Sequence, residues 1–292
     1  MRIAVSGASG FLGTALTARL EPDHEVVRLT LRPPTSPLER RWDPAAGYVE
    51  SLGLSDIDAV INLAGPGIAA KRWTASRRRE LLTARVQATR TLAQLIAAEE
   101  RPTAFLSASA VGFYGSTGDR VIDERDPGGT SYIAALCQQW EEAAAGAGVR
   151  TVLLRTGLPL DRAGGFLGTQ LPLYRLGLGG RMGDGLHWLP WIALEDWVNA
   201  VVHLLTTQIS GPVNLSAPRP VPQAVFAREL GRCLDRPAKM PTPLLPLRAV
   251  LGNQLVDEML LASNRMVPTA LVASGFQFTH PTLEGALAAA LR

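Results

Sequence analysis

The chain has 292 residues, 47% of them hydrophobic, 19% charged and 6% aromatic, and 29 Lys and Arg stand against 26 Asp and Glu. This apolar fraction with a net charge of +3 excludes global disorder, the two cysteines exclude a disulfide scaffold, and so small a basic excess does not point to nucleic acid. The four histidines have no zinc-type spacing with Cys137 or Cys233, so no metal is expected, and no apolar run reaches the roughly 18 residues of a membrane span. Met1-Arg2 leads directly into the strand-like Ile3-Ala4-Val5-Ser6 without the features of a secretory signal, so a cytoplasmic location is expected.

Short apolar runs alternate with longer helical patterns through the first half, which predicts a parallel sheet with helices on its faces. Strands are expected at 2–6, 25–31, 59–63, 104–107 and 151–155, with a weak strand near Tyr48-Val49 in the irregular stretch 33–54. Helices are expected between them at 11–20, 74–99 and 132–147. After Thr156 the rhythm changes to a glycine-rich region, Gly164-Gly165 and 177–185, followed by Trp188, Trp191 and Trp197, which are candidates for the walls of an apolar pocket. Helical patterns then cover 194–206, 222–233, 246–261 and 282–291. The expected fold is α/β, a Rossmann-type doubly wound parallel sheet over 1–160. A smaller substrate-side lobe over 161–292 completes it, with chain crossings between the two. Arg77-Arg78-Arg79, followed by Glu80, reads as a solvated helical face rather than a nucleic-acid surface.

The strongest local signal is Ser6-Gly7-Ala8-Ser9-Gly10-Phe11-Leu12-Gly13, where a buried strand runs through a glycine triplet into a helix. The first two glycines permit a tight turn and close approach of backbone to a pyrophosphate, and the third lets the helix pack on the strand. Gly7, Ser9, Gly10, Phe11 and Leu12 are therefore candidate cofactor contacts. An NAD site usually carries an acid on the ribose about 20 residues further on. Here the second strand ends at Arg32, with Arg28 nearby and no acid at that end. A guanidinium suits a 2′-phosphate, so NADP(H) is the expected cofactor.

With these residues in place, the chain resembles the short-chain dehydrogenase/reductase superfamily. Within it, the chain is most similar to the atypical nucleoside-diphosphate-sugar epimerase-like (YfcH-like) proteins. The resemblance covers essentially the whole chain and rests on Ser6 to Gly13, Ile61-Asn62-Leu63-Ala64-Gly65, Lys71-Arg72-Trp73-Thr74, Arg85, Ser107 to Gly115, Trp140-Glu141, Leu154-Arg155-Thr156-Gly157, Arg175 to Gly180 and Pro190-Trp191-Ile192. It implies an extended-type Rossmann fold and NADP binding, and adds Leu63, Ala64, Gly65, Glu80, Arg85, Ser107 and Pro159 to the cofactor contacts. Superfamily members often dimerise, so a homodimer is compatible with it.

Hydride transfer in this superfamily generally uses a Ser or Thr, a Tyr, and a Lys one helical turn after the Tyr. The ammonium stabilises phenolate, and the hydroxyl positions the substrate oxygen. Ser109 matches the serine and Tyr132 the tyrosine, with Tyr114 a second candidate. One turn beyond Tyr132 stands Leu136, so the usual dyad is incomplete. Arg181, Asp184 and His187 depart from the resembled pattern in the substrate lobe. Two functions remain open: an NADP(H)-dependent oxidoreductase or epimerase-like enzyme acting on a small carbonyl-type substrate, and a noncatalytic NADP(H)-binding sensor or docking protein. A serine hydrolase is disfavoured, because no Gly-x-Ser-x-Gly elbow is present.

Overall fold

The computed structural model describes residues 1–292. In the first half, β1 (Arg2–Ser6), α1 (Phe11–Leu20), β2 (Glu25–Thr30), β3 (Glu39–Asp43), β4 (Tyr48–Val49), β5 (Ala59–Asn62), α2 (Ala75–Ala97), β6 (Ala104–Ala110), β7 (Val121–Ile122), α3 (Tyr132–Glu142), β8 (Arg150–Thr156) and β9 (Leu158–Asp161) follow one another. The Thr74 and Ser131 hydroxyls accept from backbone N–H groups of Arg77 and Ala134, which fixes where α2 and α3 begin. The second half holds α4 (Gly165–Arg175), β10 (Trp188–Leu189), β11 (Trp191–Ala193), α5 (Leu194–Thr206), β12 (Gly211–Leu215), β13 (Val221–Pro222), α6 (Gln223–Cys233), α7 (Leu244–Leu251) and α8 (Asn253–Leu255). A π-helical turn, Val256–Leu260, then leads to β14 (Arg265–Met266), α9 (Thr269–Ala273) and α10 (Leu283–Ala290). No helix is long and apolar enough to cross a membrane.

Eight strands pair in the order β12-β8-β6-β5-β1-β2-β3-β4. Every neighbour is parallel except β3 with β4. From β1 the chain builds outward through β2 and β3, then returns to place β5, β6 and β8 on the other side. The carboxyl ends of β1 and β5 therefore flank a switch-point crevice, where open α/β sheets bind ligands. One face of the sheet packs Ile3, Val5, Ile61 and Leu106 against Leu16 of α1 and Trp197 and Val201 of α5. The other packs Val27, Val60 and Phe105 against Leu92 and Ile96 of α2. A separate core joins Trp191 and Phe226 to Leu287 of α10.

Two elements differ from the sequence expectation. The 33–54 stretch contains β3, paired with β2, as well as β4; β3 lacks a strand-like apolar pattern because Arg40 occupies an inward position where an apolar residue would be expected. Its guanidinium is 6% exposed and meets the Asp56 carboxylate at 2.6 and 2.7 Å. The helix expected over 246–261 is broken at Gly252, whose φ of +88° separates α7 from α8. The sheet also extends beyond residue 160. β12 pairs with β8 in it and α5 covers its face, while β9 pairs with β11 in a separate two-stranded sheet.

Candidate functional site

The crevice is shaped by glycine. The chain leaves β1 through Gly7 at φ +71°; a Cβ there would lie 2.6 Å from the Leu63 carbonyl oxygen, and one on Gly13 would lie 2.1 Å from that of Gly7. Neither position tolerates a side chain without displacing backbone. Ser6 Oγ donates to Asn62 Oδ1 at 2.7 Å, the same oxygen accepts from the Ala64 N–H at 3.2 Å, and Asn62 Nδ2 donates to Thr89 at 2.8 Å. These bonds tie the ends of β1 and β5 and set the Leu63-Ala64-Gly65 turn. Gly10 caps α1 without a side-chain bond, and the first turn carries no acid, so its N–H groups are available to an anion.

Two cavities meet at this turn, and both are lined by Gly7 and Gly65. The first, about 1010 Å³, runs past Ser9, Ala64 and Glu80 to Arg32 and Glu39. The Arg32 guanidinium forks onto Glu39 at 2.7 and 3.1 Å. The Thr35 N–H, donating at 2.7 Å, and then Arg32 hold the Glu39 carboxyl down at about 2. Arg28 lines the same cavity but pairs with Glu21. Glu80 pairs with Arg77 at 2.7 Å. The second cavity, about 460 Å³, is lined by Gly10, Phe11, Leu12, Leu63, Arg85 and Ser109 among mainly apolar neighbours. Arg85 stands at the waist between them, its Cζ 3.2 Å from where a Gly65 Cβ would be. It donates to the carbonyls of Pro66 and Leu81 at 2.7 and 3.2 Å and lies over the Trp140 ring at 5.2 Å, and burial pushes its pKa down.

The structure divides the sequence-predicted catalytic residues. Ser109 lines the smaller cavity, but its hydroxyl donates to Glu141 Oε1 at 2.6 Å. Glu141 in turn receives two bonds of 2.9 Å from Arg155. Tyr114 lies beneath this layer rather than on the cavity wall. Its hydroxyl donates to Asn214 Oδ1 at 2.8 Å and accepts from Arg155 at 2.9 Å, and burial pushes it up to about 12. Tyr132 turns toward α2, where its hydroxyl donates to the Arg78 carbonyl at 3.0 Å and its ring meets Trp73 edge-on. Burial raises its pKa as well. Leu136, at the dyad's lysine position, lines the cavity.

Ser107 and Pro159 do not reach either cavity. Ser107 sits inside the sheet between Asn62 and Leu153, fully buried, and Pro159 is paired in β9 while its neighbour Leu158 faces the cavity. Of the tryptophans, Trp197 is on the wall, whereas Trp191 belongs to the second-half core and Trp188 stacks with Arg265. His187 is buried away from both cavities, and that burial lowers its pKa. The wall includes two polar residues that sequence reasoning did not single out, Glu258 and Asn264. Both lie in a segment that reads only as a helix and its end, with no signal linking them to a glycine turn some 250 residues earlier. No group of three potential metal ligands is assembled.

Residues 3–216 match the NAD dependent epimerase/dehydratase family, and residues 242–290 match a domain of unknown function, DUF1731. An epimerase family protein of Mycobacterium tuberculosis is 42% identical over 290 residues, spanning 98% of this chain and 96% of that one. Epimerase family protein SDR39U1 of Homo sapiens is 36% identical over 295 residues, spanning 98% of each. The crystal structure of human SDR39U1 (isoform2) with NADPH superposes with a TM-score of 0.92 at 35% identity over 99% of both chains. The nucleoside-diphosphate sugar epimerase from Corynebacterium glutamicum gives 0.82 at 33% identity, covering all of this chain and 58% of that one. Likeness of this extent, joined to the glycine turn and the switch-point cleft, leaves one assignment: the chain belongs to the NAD dependent epimerase/dehydratase family.

Proposed function

We propose that this protein binds NADP(H) along the cleft and is an oxidoreductase that transfers hydride to or from a small substrate with a carbonyl-type C=O or C=N group in the smaller cavity. A single observation carries this: two cavities share Gly7 and Gly65 at the glycine turn, one lined by the Arg32 guanidinium and the other by Arg85, Ser109 and an apolar wall. The residues present suit the cofactor. The uncapped N-terminus of α1 suits a diphosphate, Arg32 a 2′-phosphate, and Arg85 carries a buried positive charge whose hydrogen bonds within the protein go to carbonyls and not to a carboxylate. That the human relative is solved with NADPH supports the same choice. The dinucleotide supplies the hydride chemistry; the chain's own part is to orient it, exclude water and present the substrate. Epimerisation is less well supported, since Leu136 stands where the dyad needs lysine.

Calorimetric titration of wild type and Arg32→Glu with NADPH and NADH tests this. Wild type is expected to prefer NADPH and the variant to lose that preference. A ligand at about 100 times its Kd should add ~2.7 kcal/mol of stability in a thermal shift. Folded protein that binds neither nucleotide overturns the proposal. The turned-away hydroxyls of Tyr114 and Tyr132 favour a second role, a noncatalytic NADP(H) sensor. Nucleotide binding without any NADPH consumption across ketone, enone and imine panels would select it.

A further inference from the structure

The far end of the smaller cavity is built by the second half of the chain. Glu258, on the π-helical turn, and Asn264, just before β14, line it together with Met259 and Ala262. Glu258 spans to the start of α3, where Oε2 accepts from the Ile133 N–H at 2.9 Å and Oε1 from the Gln254 amide at 2.8 Å. Each carboxylate oxygen keeps further acceptor capacity. Asn264 is 4% exposed, and its Oδ1 has no partner. A buried acceptor left in that state is costly unless a water or a ligand satisfies it.

Proton donors are scarce on this wall. The Ser109 hydroxyl is given to Glu141, and the Thr156 hydroxyl to the Leu154 carbonyl at 3.2 Å. The indole N–H groups of Trp140 and Trp197 go to Thr89 and Thr156. Cys137 is a poor acid, because burial pushes its thiol up to about 12. Arg85, the other formal charge, stands at the waist and does not surrender a proton. A ketone reduced here would lack a donor for its alkoxide, and a nucleotide sugar would bring its diphosphate toward a carboxylate.

Resting on the NADP(H) reading above, we propose that the substrate is a protonated imine, an iminium bearing apolar groups, whose N–H and positive charge are received by Glu258 and Asn264. The step balances without an acid from the protein. Hydride passes from the reduced nicotinamide to the iminium carbon and a C–H bond forms there. The carbon–nitrogen π pair moves onto nitrogen, the nicotinamide is oxidised and the iminium is reduced to a neutral amine. The nitrogen arrives already protonated, so the missing Tyr–Lys dyad is not required. Leu136, Leu158, Leu189 and Met259 surround the charge pair with apolar surface, which strengthens it by excluding water.

The test uses protein saturated with NADP⁺ and two ligands of one shape, 1,2,3,4-tetrahydroisoquinoline, cationic at neutral pH, and the uncharged isochroman. Calorimetry is expected to show the amine bound at least about tenfold tighter, as a charge-assisted hydrogen bond allows. Glu258→Gln should remove that preference while leaving NADPH affinity unchanged. Should that variant fail to fold, Asn264→Ala, which removes no side-chain bond within the protein, is expected to weaken the amine more than isochroman. In turnover, 3,4-dihydroisoquinoline should consume NADPH and 1-tetralone should not. Equal binding of the two ligands, displacement of the amine by UDP-glucose, or equal reduction of 1-tetralone would overturn the proposal. Nucleotide binding without a cation preference defeats this inference alone, whereas absence of nucleotide binding defeats the cofactor reading beneath it.

Discussion

Glu141, Arg155 and Ser109 show how far the polar residues under the cavity are committed to the fold. The Glu141 and Arg155 side chains are 7% and 5% exposed, and Arg155 also stacks on the Phe113 ring at 3.5 Å. Removing one partner of such a pair strands the other charge in a low-dielectric site, so Glu141→Leu is expected to lower the unfolding free energy by about 3–5 kcal/mol. Ser109→Ala should cost about 1–3 kcal/mol. Urea melts of both variants check the ranking, and losses below 1 kcal/mol for Glu141→Leu would mean that the pair contributes little. Glu39 gives a test by pH. Its carboxyl is lowered from 4.5 to about 2, so its stabilising contribution is complete above 4.5 and is lost as pH falls toward 2. A carboxyl-resonance titration should find a midpoint near 2, and one near 4.5 would show that the Thr35 and Arg32 contacts do not hold the carboxylate. Thiol chemistry separates the two cysteines. Cys137 is fully buried and pushed up to about 12, so alkylation of native protein at pH 8 should label Cys233 and spare Cys137 until denaturant is added.

At the level of elements, the junction of β1 and α1 depends on the close backbone packing that Gly13 permits. A Cβ at Gly13 would meet the Gly7 carbonyl oxygen at 2.1 Å, so the helix must move off the strand and carry its free N–H groups with it. Gly13→Ala is expected to cost about 1–3 kcal/mol and to abolish NADPH binding by calorimetry. Gly146→Ala, with nothing within 4 Å of the added carbon, should be neutral in both measurements. This junction was legible in the sequence because strand, turn and helix each carry a local signature within a dozen residues. So were β5 and β6, whose apolar runs are buried on both faces. β3 was not, because its inward residues include Arg40, and charge at a buried position defeats a hydrophobic pattern until its partner Asp56 is known. The cavity wall was half legible for the same reason. Ser109 follows a strand, but Glu258 and Asn264 gain meaning only from Ile133 and from the chamber they face, contacts that no local period records. The Tyr114 hydroxyl likewise could not be placed from sequence, since its acceptor is the side chain of Asn214, 100 residues away.

For the whole molecule, the cofactor half does not end where the nucleotide-binding motifs end. β8 would be an edge strand without β12, and the sheet face carrying Ile3, Val5, Val152 and Leu154 is covered by α5. Trp197, Val198, Val201, Leu204, Leu205, Val213 and Leu215 all join that core from beyond residue 160. Each large apolar side chain buried is worth about 1.5–3 kcal/mol. Losing seven such partners therefore rivals the whole net stability of a domain, about 5–15 kcal/mol. The fragment 1–160 is accordingly expected to show no cooperative thermal transition and no NADPH binding, although it retains the entire glycine turn and Arg32. Adding residues back to 216 restores α5 and β12 to the main sheet but leaves out the wall that carries Glu258 and Asn264. Thermal melts of the two fragments distinguish the contributions. A transition gained only in 1–216 would locate the stabilising core in α5 and β12, whereas a cooperative, NADPH-binding 1–160 fragment would show that the crossings are dispensable to the sheet.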